Sequence, residues 1–161
     1  MIKEPGSLYT IRFNDCDPFG HLNNAAYLNY FMNAREDHLA EHYDLRLKDF
    51  AMKGRGWVVT EHRIAYLKPA LVAEKVYIFT RVTDFSHQHI SVEMWMTDEQ
   101  QQKVKSFLMT RFAHVDLKTG KRADHDEELV QLLQNIRVDH NPDETFEQRL
   151  AARLQAPSIQ L

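Results

Sequence analysis

A chain of 161 residues, 43% hydrophobic and 27% charged, is long enough for one domain with a single core, and its composition is neither disordered nor fibrous. A net charge of −3 without a basic cluster argues against a nucleic-acid partner, and the lone Cys16 excludes an internal disulfide and fits a reducing compartment. The opening Met1-Ile2-Lys3-Glu4-Pro5-Gly6 lacks the apolar stretch of a secretory signal, and no run reaches the length of a membrane span, so a soluble cytoplasmic protein is the expectation.

Tyr9 to Asn14 reads as a short first strand, rich in aromatic and β-branched residues. Asp17-Pro18-Phe19-Gly20 carries Asp first, Pro second and Gly fourth, the pattern of a type I turn. From about Asn24 to Tyr43 there is no Gly or Pro; Tyr27, Phe31, Arg35 and Leu39 form one helical stripe, and Asn23 or Asn24 can cap its start. The first half of this helix is nearly apolar all round, as suits a helix wrapped by other structure.

After Trp57 the period changes to that of a strand. Val58 to Leu67 is followed by alternating segments at Val76 to Val82, His89 to Met96 and Val104 to Arg111. The connections at Phe85-Ser86-His87 and Asp98-Glu99-Gln100 are short, which favours antiparallel neighbours. In the tail, Leu129, Leu132, Leu133 and Ile136 have helical spacing; Asn141-Pro142 reads as a cap with Pro at the first helical position, and Phe146, Leu150 and Leu154 continue a second stripe. One long helix and five antiparallel strands imply an α+β domain whose sheet curls round the helix. Such a sheet has an open edge, and pairing with a second copy would cover it.

The segment bearing chemistry runs from Arg12 to Tyr27. It puts the Asp17 carboxylate in a turn just before the long helix, near that helix's free N–H groups and positive dipole end. Those amides can stabilise an oxyanion growing on a carbonyl while the carboxylate attacks it or activates water. The plainer reading is that an Asp before Pro-x-Gly holds its own turn.

Asp15-Cys16-Asp17-Pro18-Phe19-Gly20, then His21-Leu22-Asn23-Asn24 and Tyr27, resemble the signature of hotdog-fold acyl-CoA thioesterases, the hydroxybenzoyl-CoA thioesterase family in particular. Ile64-Ala65-Tyr66-Leu67-Lys68-Pro69-Ala70 and Arg111-Phe112-Ala113-His114-Val115-Asp116 with Lys118-Thr119-Gly120-Lys121 support the match, which covers about residues 8 to 122. The resemblance implies a hotdog thioesterase domain over residues 1–122, with residues 123–161 as a helical extension packing on the same domain or on a neighbouring subunit. It places the catalytic carboxylate on Asp17 and the carbonyl-polarising amide near Asn24, with Gly20 and Tyr27 at the substrate and His21 a candidate to orient water. It implies an acyl-CoA or acyl-carrier thioester as substrate, no metal or other cofactor, no membrane, and a homodimer or homotetramer with the CoA portion partly on the neighbouring subunit. The form Gly-His-x-Asn-Asn is common among members acting on acyl groups other than aryl ones.

Other candidates have plainer readings. Asp15 reads as structural. His38-Leu39-Ala40-Glu41-His42 matches an inverted zinc-protease pattern, yet the face reads as solvated surface at the late end of the helix. His87 and His89 read as exposed near a hairpin, and Glu61 as strand surface. Arg63, Lys68, Arg81 and Arg111 are candidates for CoA phosphates. Met94, Trp95 and Met96 read as core or subunit packing. Two alternatives stay open on the same fold: a non-catalytic acyl-CoA or acyl-carrier binding module, and a dehydratase or hydratase using Asp17 with His21.

Overall fold

The computed structural model describes residues 1–156. Five strands form one antiparallel sheet: β1 (Gly6–Thr10), β2 (Arg55–Tyr66), β3 (Lys75–Phe85), β4 (His89–Asp98) and β5 (Val104–Asp116), in the order β1-β3-β4-β5-β2. The long helix α1 (Tyr27–Tyr43) leads through a short α2 (Leu47–Met52) into β2, and α3 (Glu127–Ile136) and α4 (Phe146–Gln155) close the described chain. This is the α+β hotdog arrangement expected from the sequence. No helix of the described residues is long and apolar enough to cross a membrane.

The alternation along the central strands explains the layers. Val76, Ile78 and Val82 of β3, Val92, Met94 and Met96 of β4 and Leu108 of β5 face one way and form the main core. Against them lies the buried stripe of α1, Tyr27, Tyr30, Phe31, Ala34, Arg35 and His38, at i, i+3, i+4, i+7, i+8 and i+11. Phe79, Trp95 and Phe107 alternate to the other face and form a second cluster with Phe146 of α4. A sheet buried on both faces needs strands that are apolar at nearly every position, and β4 is buried at Ile90 and from Val92 to Thr97. Leu129, Leu133 and Ile136 of α3 close the main core beside α1.

Three expectations change. The first strand is Gly6–Thr10, earlier than Tyr9 to Asn14, because the Arg12 N–H donates to the Tyr30 hydroxyl at 3.0 Å and the Asp15 N–H turns back to the Arg12 carbonyl, so Phe13–Asp15 makes a 3-10 turn. Asn141 does not cap the last helix; its side chain accepts from the Asp143 N–H, and the helix begins at Phe146, four residues past Pro142, behind Thr145, which forms a capping box with Gln148. The short α2 has no counterpart in the sequence reading, since one and a half turns carry too little periodicity to see.

Beneath α4 lies a buried charge. Glu93, fully enclosed on the outer face of β4, is held between Arg81 of β3 and Arg149 of α4. Glu4 adds a bond to Arg81 at 2.6 Å and a longer approach to Arg153, whose guanidinium stacks 3.7 Å from the Trp95 ring. Burial opposes the charge on Glu93, but Arg149 and Arg81 outweigh it and hold the carboxyl below its ordinary range. Removing one partner of such a pair leaves a charge uncompensated, so Arg149→Ala is expected to cost about 3–5 kcal/mol. Denaturant unfolding of the variant checks this.

Candidate active site

The loop from Ile11 to Asn23 is fixed before any chemistry is considered. The Ala73 N–H donates to the Ile11 carbonyl, Leu22 N–H to Ala70 and Val72 N–H to Gly20, each at 2.8–2.9 Å, so the loop is laced to the segment that precedes β3. At its tip Asp17 and His21 pair across a tight turn: the Asp17 N–H donates to the His21 carbonyl at 2.8 Å and the Gly20 N–H to the Asp17 carbonyl at 3.0 Å. Gly20 sits at φ +75°, the left-handed region where a side chain is strained.

Within this turn the half-buried Asp17 points its Oδ1 back at the chain, accepting from the Phe19 N–H at 2.9 Å and the His21 N–H at 3.1 Å. The plain turn-holding role is therefore real. It occupies one carboxyl oxygen, and Oδ2 has no hydrogen-bond partner among the described residues. His21 contributes its backbone to both sides of the turn, and its half-buried ring makes no hydrogen bond among the described residues.

The helix start follows. Asn23 caps it, its side chain accepting from the Ala25 N–H at 3.2 Å and its carbonyl from the Ala26 N–H at 2.8 Å. Asn24 opens a 3-10 turn, Asn24–Ala26, that runs straight into α1, and no hydrogen bond among the described residues uses its N–H. The exposed Asn24 thus presents a free amide at the positive end of the long helix. Two tyrosines hold this tip. The Tyr66 hydroxyl of β2 donates to the Asn24 carbonyl at 2.9 Å, and its ring packs edge-on against Tyr27 at 5.2 Å. Tyr27 itself is buried, its hydroxyl accepting from the Ala70 N–H at 3.2 Å, so it supports the loop from beneath. Asp15 is structural as read: its carboxylate accepts from Tyr30 at 2.7 Å. Tyr66 and Tyr30 were missed as site supports, and nothing in their spacing announces a partner 42 or 15 residues away.

A cavity of about 380 Å³ lies elsewhere and does not touch this turn. It runs along α1 further down, between Leu39, Leu45, Trp57, Val92, Phe112 and Leu133. Asp17, Gly20, His21, Asn24 and Tyr27 are absent from its walls.

Two side readings are corrected. His38 is not on a solvated face; it is fully buried, with Nε2 3.0 Å from the Ser7 hydroxyl and Nδ1 2.8 Å from that of Thr80. No group of metal-ligating side chains occurs among the described residues. Arg81 is committed to Glu93 and Glu4, so its guanidinium is not free for a phosphate; Arg63 makes an exposed surface pair with Glu147.

A profile of the thioesterase-like superfamily matches residues 11–133. The chain belongs to that superfamily. Its fold is shared with the 1,4-dihydroxy-2-naphthoyl-CoA thioesterase of Synechocystis (TM-score 0.75, 14% identity, 83% of this chain and 97% of that one). It is shared as well with the DHNA-CoA thioesterase of Staphylococcus aureus (0.74, 22%, 84% and 95%) and a probable thioesterase of Escherichia coli (0.70, 24%, 82% and 98%). Among curated proteins, none is similar enough in sequence to match. The matched region of the superfamily profile ends within α3, so α4 lies beyond it.

Burial, reinforced by Arg35 and His42, pushes the His38 imidazole down to about 4, so the folded state holds it neutral. The unfolded chain takes up that proton near pH 6.5 and the native state only near 4, so stability present above 6.5 falls as the pH drops through this window, by up to about 3 kcal/mol. Denaturant midpoints measured from pH 7 to 4 should show the decline, and His38→Gln should make it shallower, with His62, His89 and His125, lowered in the same direction by burial, supplying the remainder.

Proposed function

We propose that this chain is a thioesterase that hydrolyses acyl-CoA or acyl-carrier thioesters, with Asp17 as its carboxylate and the Asn24 amide as the oxyanion donor. One observation carries the reading: the free Oδ2 of Asp17 stands on a turn braced against a helix start whose first amide is unclaimed. The thioester carbonyl oxygen accepts from the Asn24 N–H, which becomes more valuable as negative charge develops on that oxygen. Asp17 then takes a proton from water as it adds to the carbonyl, or adds itself and is released by water. In either route the C–S bond breaks, the thiolate leaves with a proton, and the free acid remains. His21, whose backbone closes the Asp17 turn and whose ring has no hydrogen-bond partner among the described residues, would orient that water.

Gly20 gives the acyl group a close approach to backbone. The exposed Phe19, Leu71 and Val72 stand about the turn as an apolar surface, and the fold shared with two CoA thioesterases favours a CoA thioester as substrate. Val58 and Val59 are exposed on β2, one of the two edge strands of the sheet. Pairing of that edge with a second copy, in a dimer or a dimer of dimers, would cover them and bring a neighbouring subunit to the substrate.

Asp17→Asn is the informative substitution, because an amide oxygen still accepts from Phe19 and His21 while losing its basicity and charge. It should lower kcat/KM for acyl-CoA hydrolysis by about 10²–10⁴ at unchanged Tm. Asp17→Ala should lose activity and turn stability together. Thiol release from a panel of aliphatic and aryl acyl-CoAs measures the first effect, and hydrolysis by Asp17→Asn within a few-fold of the parent would reject the role.

A further inference from the structure

Arg35 lies on the buried stripe of α1 and is only 6% exposed. A guanidinium carries five N–H donors and keeps its charge at neutral pH. Here none of those donors has a hydrogen-bond partner among the described residues, no ion pair reaches the group, and Nη1 is completely enclosed. Burial pushes Arg35 down to about 10, a change that leaves it cationic near neutral pH. Leaving such a charge unpaired in a core costs several kcal/mol. The charged groups nearby do not relieve it: Arg55 is paired with Asp116 at 2.9 Å, the exposed Glu36 makes no ion pair with Arg35, and His38 is held neutral.

Arg35 is part of the wall of the cavity flanking α1. The remaining wall is mostly aliphatic and aromatic, with Asn33, the exposed Glu36 and the paired Arg55 as its other polar members, and the volume of about 380 Å³ is in the range of small-ligand pockets. One unpaired cation on an apolar cavity calls for a ligand with one anionic group and an apolar body. A carboxylate matches the planar fork of the guanidinium with two parallel bonds. A phosphate dianion would leave half its charge without a counter-ion, because the other cation of the cavity, Arg55, is already spoken for.

We propose that Arg35 and this cavity form a binding site for the carboxylate of an apolar acid. Such a carboxylate has two sources, a free fatty-acid-like molecule or the far end of an acyl chain whose other end is the thioester. The inference does not need Asp17 to be catalytic.

The test uses the full chain, its Arg35→Met and its Asp17→Asn variants. Calorimetric titration with octanoate and with 1-octanol should show the acid binding at least tenfold tighter in the parent and in Asp17→Asn alike. Arg35→Met, which keeps the volume and removes the buried charge, should abolish that preference while apo Tm stays level or rises. Hydrolysis of octanoyl-CoA and of suberyl-CoA then separates the sources. A KM at least tenfold lower for suberyl-CoA, lost in Arg35→Met, assigns the carboxylate to the acyl chain; equal KM values with the octanoate preference intact assign it to a free acid. Equal binding of octanoate and octanol to the parent, binding of neither, or a preference that survives Arg35→Met overturns the proposal. The comparison in the parent decides the matter even if the variant does not fold. Full activity of Asp17→Asn would overturn the proposed function and leave this inference standing.

Discussion

Burial of one face of α1 against the inner surface of β3, β4 and β5 is the contact on which the remaining architecture depends. The stripe from Tyr27 to His38 is too apolar to face water, and the only surface large enough to cover it is a sheet curved around it. Once that contact is made, the position of the helix start follows. Tyr27, the first α-helical residue, is sealed beneath Ala70, and the preceding 3-10 turn must emerge at the sheet's rim beside Tyr66. The loop carrying Asp17 is then stitched to the approach to β3 by three backbone bonds. The candidate site is a rim feature, rigid because of what lies under it.

The structural use of Asp17 and the chemical one proposed for it do not compete. One carboxyl oxygen saturates two amides of its own turn, which orients the side chain and limits its freedom. The second oxygen remains available. Preorganisation of this kind is what a reacting group needs, since no reorientation is required at the moment of reaction. The Asn24 amide is fixed by the same logic: its residue's carbonyl is held by Tyr66, and the cap on Asn23 uses the amides of Ala25 and Ala26 and leaves the first one open.

Much of this was legible in the sequence because it is local. The alternation in β3, β4 and β5 reports the two covered faces, and the stripe of α1 reports its burial, Arg35 included. The turn at Asp17 is written in Asp-Pro-x-Gly. What sequence could not supply is long-range. The end of β1 at Thr10 is decided by Tyr30, eighteen residues beyond Arg12, and the enclosure of His38 by Thr80 on another strand. That no carboxylate among the described residues pairs with Arg35 is a statement about three-dimensional geometry, and periodicity alone makes that arginine look like an ordinary member of an amphipathic helix. Arg81 shows the reverse error: a basic residue on a strand invites a phosphate reading until Glu93 is found beside it.

The charged cluster on the outer face joins residues at opposite ends of the described chain, since Glu4 reaches Arg81 and Arg153 while Arg149 reaches the carboxylate of Glu93. Peeling away the first residues and peeling away α4 therefore disturb the same few groups. Neither extremity can fray as an isolated event, because loosening one strips counter-charge from the anchor of the other. The cluster works as a clasp that fastens the two ends to a single point on the sheet, and it makes their detachment one cooperative step.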